Sequence, residues 1–444
     1  MTAEIAVMNK SAVALAADSA VTLQMQRGHK IYTTNKLFTL SKYHPVGIMI
    51  YGEAELLGVP WETVVKTYRK QLGKSKFRTL REHSEDFIKF LENCNNLFPD
   101  SVQKNFFLKS LGSYYTIIKE EINKEVKQRT NKKKITKSEI ERIVNNVINK
   151  RLKNLEKLDR LPNFSTRDER NLINKYSNLI NQVKGEIFVK LPIKQATLTK
   201  LRNIGAFLFS RKIFQKNLSG VVVAGFGYDQ VFPHVIQFEI EGIVNSKAKF
   251  KYVKEHKTDP NTTACIIPFA QAEMVATFME GVNPDYNKFL FKGLDILLTN
   301  KYPNFIVEEV GDSSKKKREE LASKLKKIGN GVLDELQQQL KNYKHKTHIS
   351  PITTAVSFLP KEELAVMAET LINLTSFKRK MSVDVAETVG GPIDVAVISK
   401  GDGFIWIKRK HYFKQELNRQ FIANYYREFQ PQLGGKNNGK KKKK

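Results

Sequence analysis

Apolar residues recur along this chain in two rhythms, and the switches between them outline its architecture. Ala12 to Ala17 is short, apolar and small, the pattern of a strand buried on both faces. Lys36 to Leu40 alternates, as does the run before it, and Val46 to Tyr51 reads as a second buried strand that stops at Gly52. From Glu53 to Leu72 the period lengthens, with Leu56, Leu57, Trp61, Val64 and Val65 at helical spacing. Residues 73–215 lose the strand pattern and become rich in Lys, Asn, Glu and Leu. Segments such as Lys137 to Leu158 predict amphipathic helices, without a fixed-period repeat.

Strand-like sequence returns at Val221. The run GVVVAGFGYDQVFPHVIQFEIEGIV predicts two strands joined by a turn containing Gly225 and Gly227. Residues 264–281, ACIIPFAQAEMVATFMEG, read as a strand end entering a helix, and residues 282–350 form a second insertion. A helix over Lys361 to Lys380 carries Leu364, Met367, Ala368, Leu371 and Leu374 on one side. In GGPIDVAVISKGDGFIWI, a strand Ile393 to Ser399, a KGDG turn and a strand Phe404 to Ile407 predict a hairpin.

Two sheets covered by helices satisfy this order, an α/β (α+β) sandwich layered αββα. The expected division is a core over 2–72, 216–281 and 351–430, basic helical insertions over 73–215 and 282–350, and a polylysine tail over 431–444. The low complexity of that tail predicts disorder.

Charge widens the range of partners without bearing on fold. Across 444 residues, 75 Lys and Arg against 45 Asp and Glu give a net charge of +30, a field that attracts nucleic acid, anionic lipid or acidic protein. The excess gathers at Lys132 to Lys134, Lys315 to Arg318 and the terminal lysines, which read as solvated faces or as contacts for nucleic acid or an acidic partner. No zinc finger or RNA-recognition aromatic motif accompanies them. Two cysteines, Cys94 and Cys265, make neither a disulfide framework nor a metal cage, and a reducing cytoplasm is the simplest home. The N-terminal apolar stretch lacks a basic n-region and is broken by Asp18, so neither a signal peptide nor membrane insertion is expected. The histidines show no metal-ligand spacing, no cofactor is implied, and without a Walker A motif any ATPase unfoldase must be a separate partner.

The chemistry begins at Thr2. Removal of Met1 before a small residue would leave a terminal threonine with both a hydroxyl and an α-amine. That amine titrates at about 7.7–8.0 and can take the hydroxyl proton as base. Taken alone, a Thr after Met is common. Asp18 read singly is a turn or cap residue, and Lys36 a solvated strand lysine.

Four segments in order change that reading. VALAADSAV with Asp18, KIYTTNKLFTLS with Lys36, GIMIYGEAELLGVPWETVVKTYR with Gly52, and GGPIDVAVISKGDGFIWI together resemble the β subunits of proteasomes. These are N-terminal-nucleophile hydrolases, including the bacterial HslV/Anbu-like superfamily. The matches span about half the chain, and the two insertions have no counterpart. The resemblance implies a threonine protease of the cytoplasm that hydrolyses amide bonds of peptides or unfolded protein, as a homo-oligomer. In it Thr2 is the nucleophile, Lys36 lowers the hydroxyl pKa, Asp18 holds Lys36, and the backbone N–H of Gly52 forms the oxyanion hole.

The same resemblance implies an auxiliary Ser-Asp-Ser group, from which this chain departs. Cys265 stands where one serine is expected, and Ala386 and Val389 occupy the Asp-x-x-Ser positions before Gly390. Asp384, Glu387 and Thr388 are the neighbouring substitutes, and Asp394 reads as structural. A rival reading is therefore a weak or inactive relative kept for binding.

Overall fold

The computed structural model describes residues 3–25, 28–131, 135–310, 314–381, 390–411, 413–420 and 423. It is a mixed α and β structure with antiparallel sheets. Strands β1 (Glu4–Asn9) and β2 (Ala12–Asp18) open the chain, followed by a hairpin of β3 (Ala20–Met25) and β4 (Gly28–Thr33). Next come β5 (Leu37–Thr39) and β6 (Val46–Gly52), a two-residue pair β7 (Glu55–Leu56) and β8 (Val59–Pro60), and helix α1 (Trp61–Leu72). The helix expected from Glu53 thus begins eight residues later. Positive φ at Leu57 and Gly58 makes a tight turn there, and Pro60 sets the helix start.

Helices α2 (Leu80–Asn93), α3 (Asp100–Thr130), α4 (Lys137–Glu156), α5 (Thr166–Ile187) and α6 (Gln195–Ser210) fill the first long stretch. Strands β9 (Ser219–Gly225), β10 (His234–Val244), β11 (Lys247–Lys257) and β12 (Ala264–Ala270) follow. β11 is an addition to the sequence reading, because lysines at alternate positions mask its pattern.

The second helical stretch holds α7 (Glu273–Glu280), α8 (Pro284–Ile296), α9 (Tyr302–Glu309), α10 (Lys315–Lys344), α11 (Ser350–Phe358) and α12 (Lys361–Met381). The hairpin of β13 (Ile393–Ser399) and β14 (Gly403–Lys408) closes the core. On α12 the buried side turns to include Ala365 and Ile372, leaving Leu374 half exposed.

One five-stranded sheet runs β12-β1-β2-β13-β14 and the other β11-β10-β9-β6-β5, each antiparallel throughout. Alternation on β2 explains their packing. Val13, Leu15 and Ala17 meet Met49, Val222 and Ala224 of the second sheet, whereas Ala12, Ala14 and Ala16 pack with Leu364, Ala368 and Leu371 of α12. Small residues on that face let the helix lie close. The second sheet's outer face, through Ile48, Val221 and Phe238, is covered by Trp61, Tyr68 and Phe87 of α1 and α2. Helices α3–α6 build a core of their own, in which Phe107 stacks on Tyr176 and Phe209 at 4.3 and 4.8 Å between ring centres. The second stretch differs: α8 buries no residue, and α10 only Gly329 and Leu333.

Between the sheets, the ring of Tyr51 on β6 lies over Gly220 of β9. A Cβ at Gly220 would stand 1.8 Å from that ring.

Candidate functional site

The antiparallel register brings the ends of several strands together. Asp18 closes β2 opposite Ile393, which opens β13, and the N–H of Asp18 donates to the carbonyl of Ala3 at 3.1 Å. The Asp18 side chain is 1% exposed, yet both of its oxygens are occupied. Oδ1 accepts from Lys36 Nζ at 2.8 Å and from the N–H of Ala3 at 3.0 Å, and Oδ2 accepts from the N–H of Gly390 at 3.1 Å.

Lys36 reaches this point from the other sheet. It precedes β5, and its carbonyl accepts from the N–H of Ile50 at 2.9 Å. Lys36 is 4% exposed, and its ammonium also donates to the carbonyl of Ala20 at 2.7 Å. Burying an ion pair is costly, and the charge-assisted bonds from the backbone offset that cost.

Gly52 ends β6 at φ +81°, and a Cβ there would meet the carbonyl oxygen of Leu218 at 2.2 Å, so both conformation and space require glycine. Lys36 and Gly52 line one cavity of about 80 Å³, together with Thr34, Asn35, Trp61 and Glu62. Trp61 donates from Nε1 to Ser219 Oγ at 2.9 Å, which fixes the wall. Burial disfavours ionisation of Glu62, but hydrogen bonds from Lys66 and Asn35 outweigh it and hold the carboxyl below its usual range.

The structure therefore brings Asp18, Lys36 and Gly52 to one place. Thr2, Asp384, Glu387 and Thr388 lie outside the described residues. Cys265 is not part of the cluster. It pairs with Met8, and Met8 with Val13, five residues along β2 from Asp18. At about 3.3 Å per residue, that separation is roughly 16 Å. Burial, and then Asp259, raise the Cys265 thiol above its ordinary pKa, away from a reactive thiolate. The β12 residue level with the start of β1 is Ala270. Gln271, which follows it, has φ +56° and a buried Nε2 without a hydrogen-bond partner among the described residues.

Sequence reading also missed Glu4. Ala6 and Met8 of β1 face the layer between the sheets, and Glu4 shares their face by the period of two. It is 1% exposed, and neither carboxyl oxygen has a hydrogen-bond partner among the described residues. Burial pushes its carboxyl well above the usual range, the charge of Lys36 pulls it down, and Asp18 pushes it up. Tyr51 stands near it, accepting from Gln237 Nε2 at 2.5 Å and donating to Glu239 Oε1 at 3.4 Å; burial above all raises its hydroxyl pKa. Strand alternation alone would have placed Glu4 beside Ala6 and Met8.

On the far side of Asp18, Asp394 is buried. Its Oδ1 accepts from the N–H of Lys410 at 2.8 Å, and burial raises its carboxyl pKa. Among the described residues, no group of three or more His, Cys, Asp or Glu stands where it could hold a metal ion. No helix among them is long and apolar enough to cross a membrane.

No family model matches the chain, and no curated protein does. Solved structures to which it is similar include the helical assembly of the Anbu complex from Pseudomonas aeruginosa, at 8% identity over 98% of this chain and 100% of that one, with a TM-score of 0.26. A Gly-1 mutant of Anbu from Hyphomicrobium sp. strain MC1 is 8% identical over 97% of this chain and 96% of that one, with a TM-score of 0.27. Anbu, described as an ancestral beta-subunit, from Yersinia bercovieri is 9% identical over 98% and 100%, with a TM-score of 0.26. At such TM-scores the likeness decides neither fold nor activity.

Proposed function

We propose that this chain is a proteasome-like threonine peptidase, in which Thr2, freed by removal of Met1, attacks the carbonyl of a peptide bond. One observation carries the reading. The buried Asp18 carboxylate that binds Lys36 also accepts the N–H of Ala3, the peptide nitrogen that directly follows Thr2. A lysine held charged at this point would lower the pKa of the threonine hydroxyl. The α-amine would accept its proton, and the N–H of Gly52, beside the same cavity, would take the oxyanion. Attack gives an acyl ester on Thr2 and releases the amine; water then frees the acid. No metal or cofactor enters these steps.

In this reading the two sheets and their covering helices are the αββα sandwich of an N-terminal-nucleophile hydrolase, and the two helical stretches are insertions into it. A cytoplasmic homo-oligomer supplied with unfolded protein by a separate ATPase completes the proposal.

Intact mass of the full chain, with and without a peptide epoxyketone, tests it. That reagent needs both the hydroxyl and the free amine of a terminal threonine. Loss of Met1 and one adduct per chain, absent in Thr2→Ala, is the expected result. A retained Met1 rules the mechanism out. A processed Thr2 without adduct turns the reading to a binding module. Retention on random DNA that weakens steeply with salt would support a nucleic-acid partner for the basic insertions.

A further inference from the structure

We propose that Lys410 is a positioning residue of this site, a clamp that fixes the loop carrying Lys36. The inference rests on the peptidase reading for its consequence and on contacts of this chain for its geometry. Lys410 follows the end of β14 by two residues. Its N–H donates to Asp394 Oδ1 at 2.8 Å, and its ammonium donates to the carbonyl of Thr34 at 2.5 Å.

Both anchors adjoin the Asp18–Lys36 pair. Asp394 lies opposite Ala17 on β2, one residue before Asp18, and Thr34 lies two residues before Lys36. Other bonds hold the same loop. The Thr34 N–H donates to the carbonyl of Ser19 at 2.8 Å, the Asn35 side chain to Glu62 at 3.1 Å, and Lys36 itself to Asp18 and Ala20. Among these, the Lys410 bond alone ties the loop to the C-terminal hairpin. Lysine suits the task because its long stem carries a head with three donors. Burial lowers the ammonium's pKa and Asp394 raises it, consistent with a group drawn in between charged neighbours.

The link makes a testable claim on the loop and on the chemistry. Without the Lys410 donor, residues 34–36 lose their tie to the C-terminal hairpin, and a displacement of the Lys36 ammonium by about 1 Å is enough to slow a positioned reaction up to about a hundredfold.

The test uses the full chain as wild type, Lys410→Met, which keeps the stem and removes the donor, and Lys410→Arg, which restores donors and charge. Amide hydrogen exchange of the segment around Thr34 is read beside the kinetics of epoxyketone inactivation. In Lys410→Met, the Thr34 amide is expected to exchange about tenfold faster. The maximal inactivation rate should fall at least about tenfold with the half-saturating reagent concentration unchanged, and Lys410→Arg should recover both.

Unchanged exchange in Lys410→Met overturns the clamp. Faster exchange with an unchanged inactivation rate also overturns it, since the loop would move without consequence for the site. If wild type takes no adduct, the peptidase reading falls, and the exchange measurement alone decides whether Lys410 holds the loop. Should Lys410→Met fail to fold, Lys410→Gln carries the same comparison.

Discussion

Among the described residues two lysines are buried against carboxylates, both at 2.8 Å, and they do different work. Lys36 meets Asp18 at the end of the first sheet, and Lys249 of β11 meets Glu241 of β10. Around the first pair every strong acceptor and donor is the main chain: Ala20 receives the ammonium, while Ala3 and Gly390 serve the carboxylate. Around the second, the rings of Phe209 and Phe214 stand 5.6 and 5.3 Å from the ammonium, the N–H of Gln215 binds one carboxylate oxygen, and the other has no partner among the described residues. Phe209 belongs to α6 and Phe214 to the segment after it, so the second pair fastens the α3–α6 helices to the sheet. The first lies beside a cavity. A buried Lys–carboxylate pair is therefore no mark of a reactive site by itself; the hydrogen bonds around it and access to space tell the two apart.

Breaking the second pair should have the largest effect. Glu241→Gln leaves a buried ammonium without its counter-charge and should lower stability to denaturant by about 3–5 kcal/mol. Burial already lowers the pKa of Lys249. The unfolded chain therefore binds its proton more tightly than the folded chain, and folding gains as pH rises toward the unfolded value of about 10.4. The loss in Glu241→Gln should shrink over that rise. Replacing both partners with apolar residues, Lys249→Met with Glu241→Leu, should come within about 1 kcal/mol of wild type or exceed it.

Lys36→Met should cost less stability, about 1–3 kcal/mol by the same denaturant measurement, because Asp18 keeps two backbone N–H groups. It should nonetheless abolish adduct formation. A larger loss of stability than in Glu241→Gln would reverse the comparison.

Glu4→Gln sharpens it further, since Glu4 is a buried carboxyl with no hydrogen-bond partner among the described residues. Its folded pKa is raised, so its contribution to folding is full below the unfolded value of about 4.3 and declines as pH rises through the folded value. The melting temperature of Glu4→Gln relative to wild type should climb over that interval. A constant difference would show that Glu4 does not titrate across it. The smallest effect belongs to an exposed pair, Lys408 with Glu369: Lys408→Ala should change stability by about 0–1 kcal/mol.

The sequence made the strand ends at Asp18 and Gly52 readable because short apolar runs stop there at a charge and a glycine. Lys36 was readable through the segment around it. What escaped reading depends on register. Cys265 was matched by its neighbours in sequence, but the pairing of β12 with β1 carries it along the sheet, away from Asp18. Glu4 is a charge on a buried face, and the alternation Glu4, Ala6, Met8 states this only once β1 is known to be covered on that side. Lys410 and Thr34 are far apart in the chain, and no local pattern announces their bond. β11 escaped because lysines, one of them the buried Lys249, stand at alternate positions along it.

The ring of Tyr51 fills the space that any side chain at residue 220 would need. The two positions are thus a single unit of inheritance. Among homologues, an aromatic at position 51 should travel with glycine at 220. A lineage that enlarges residue 220 must first, or at the same time, give up the ring and with it the bonds to Gln237 and Glu239.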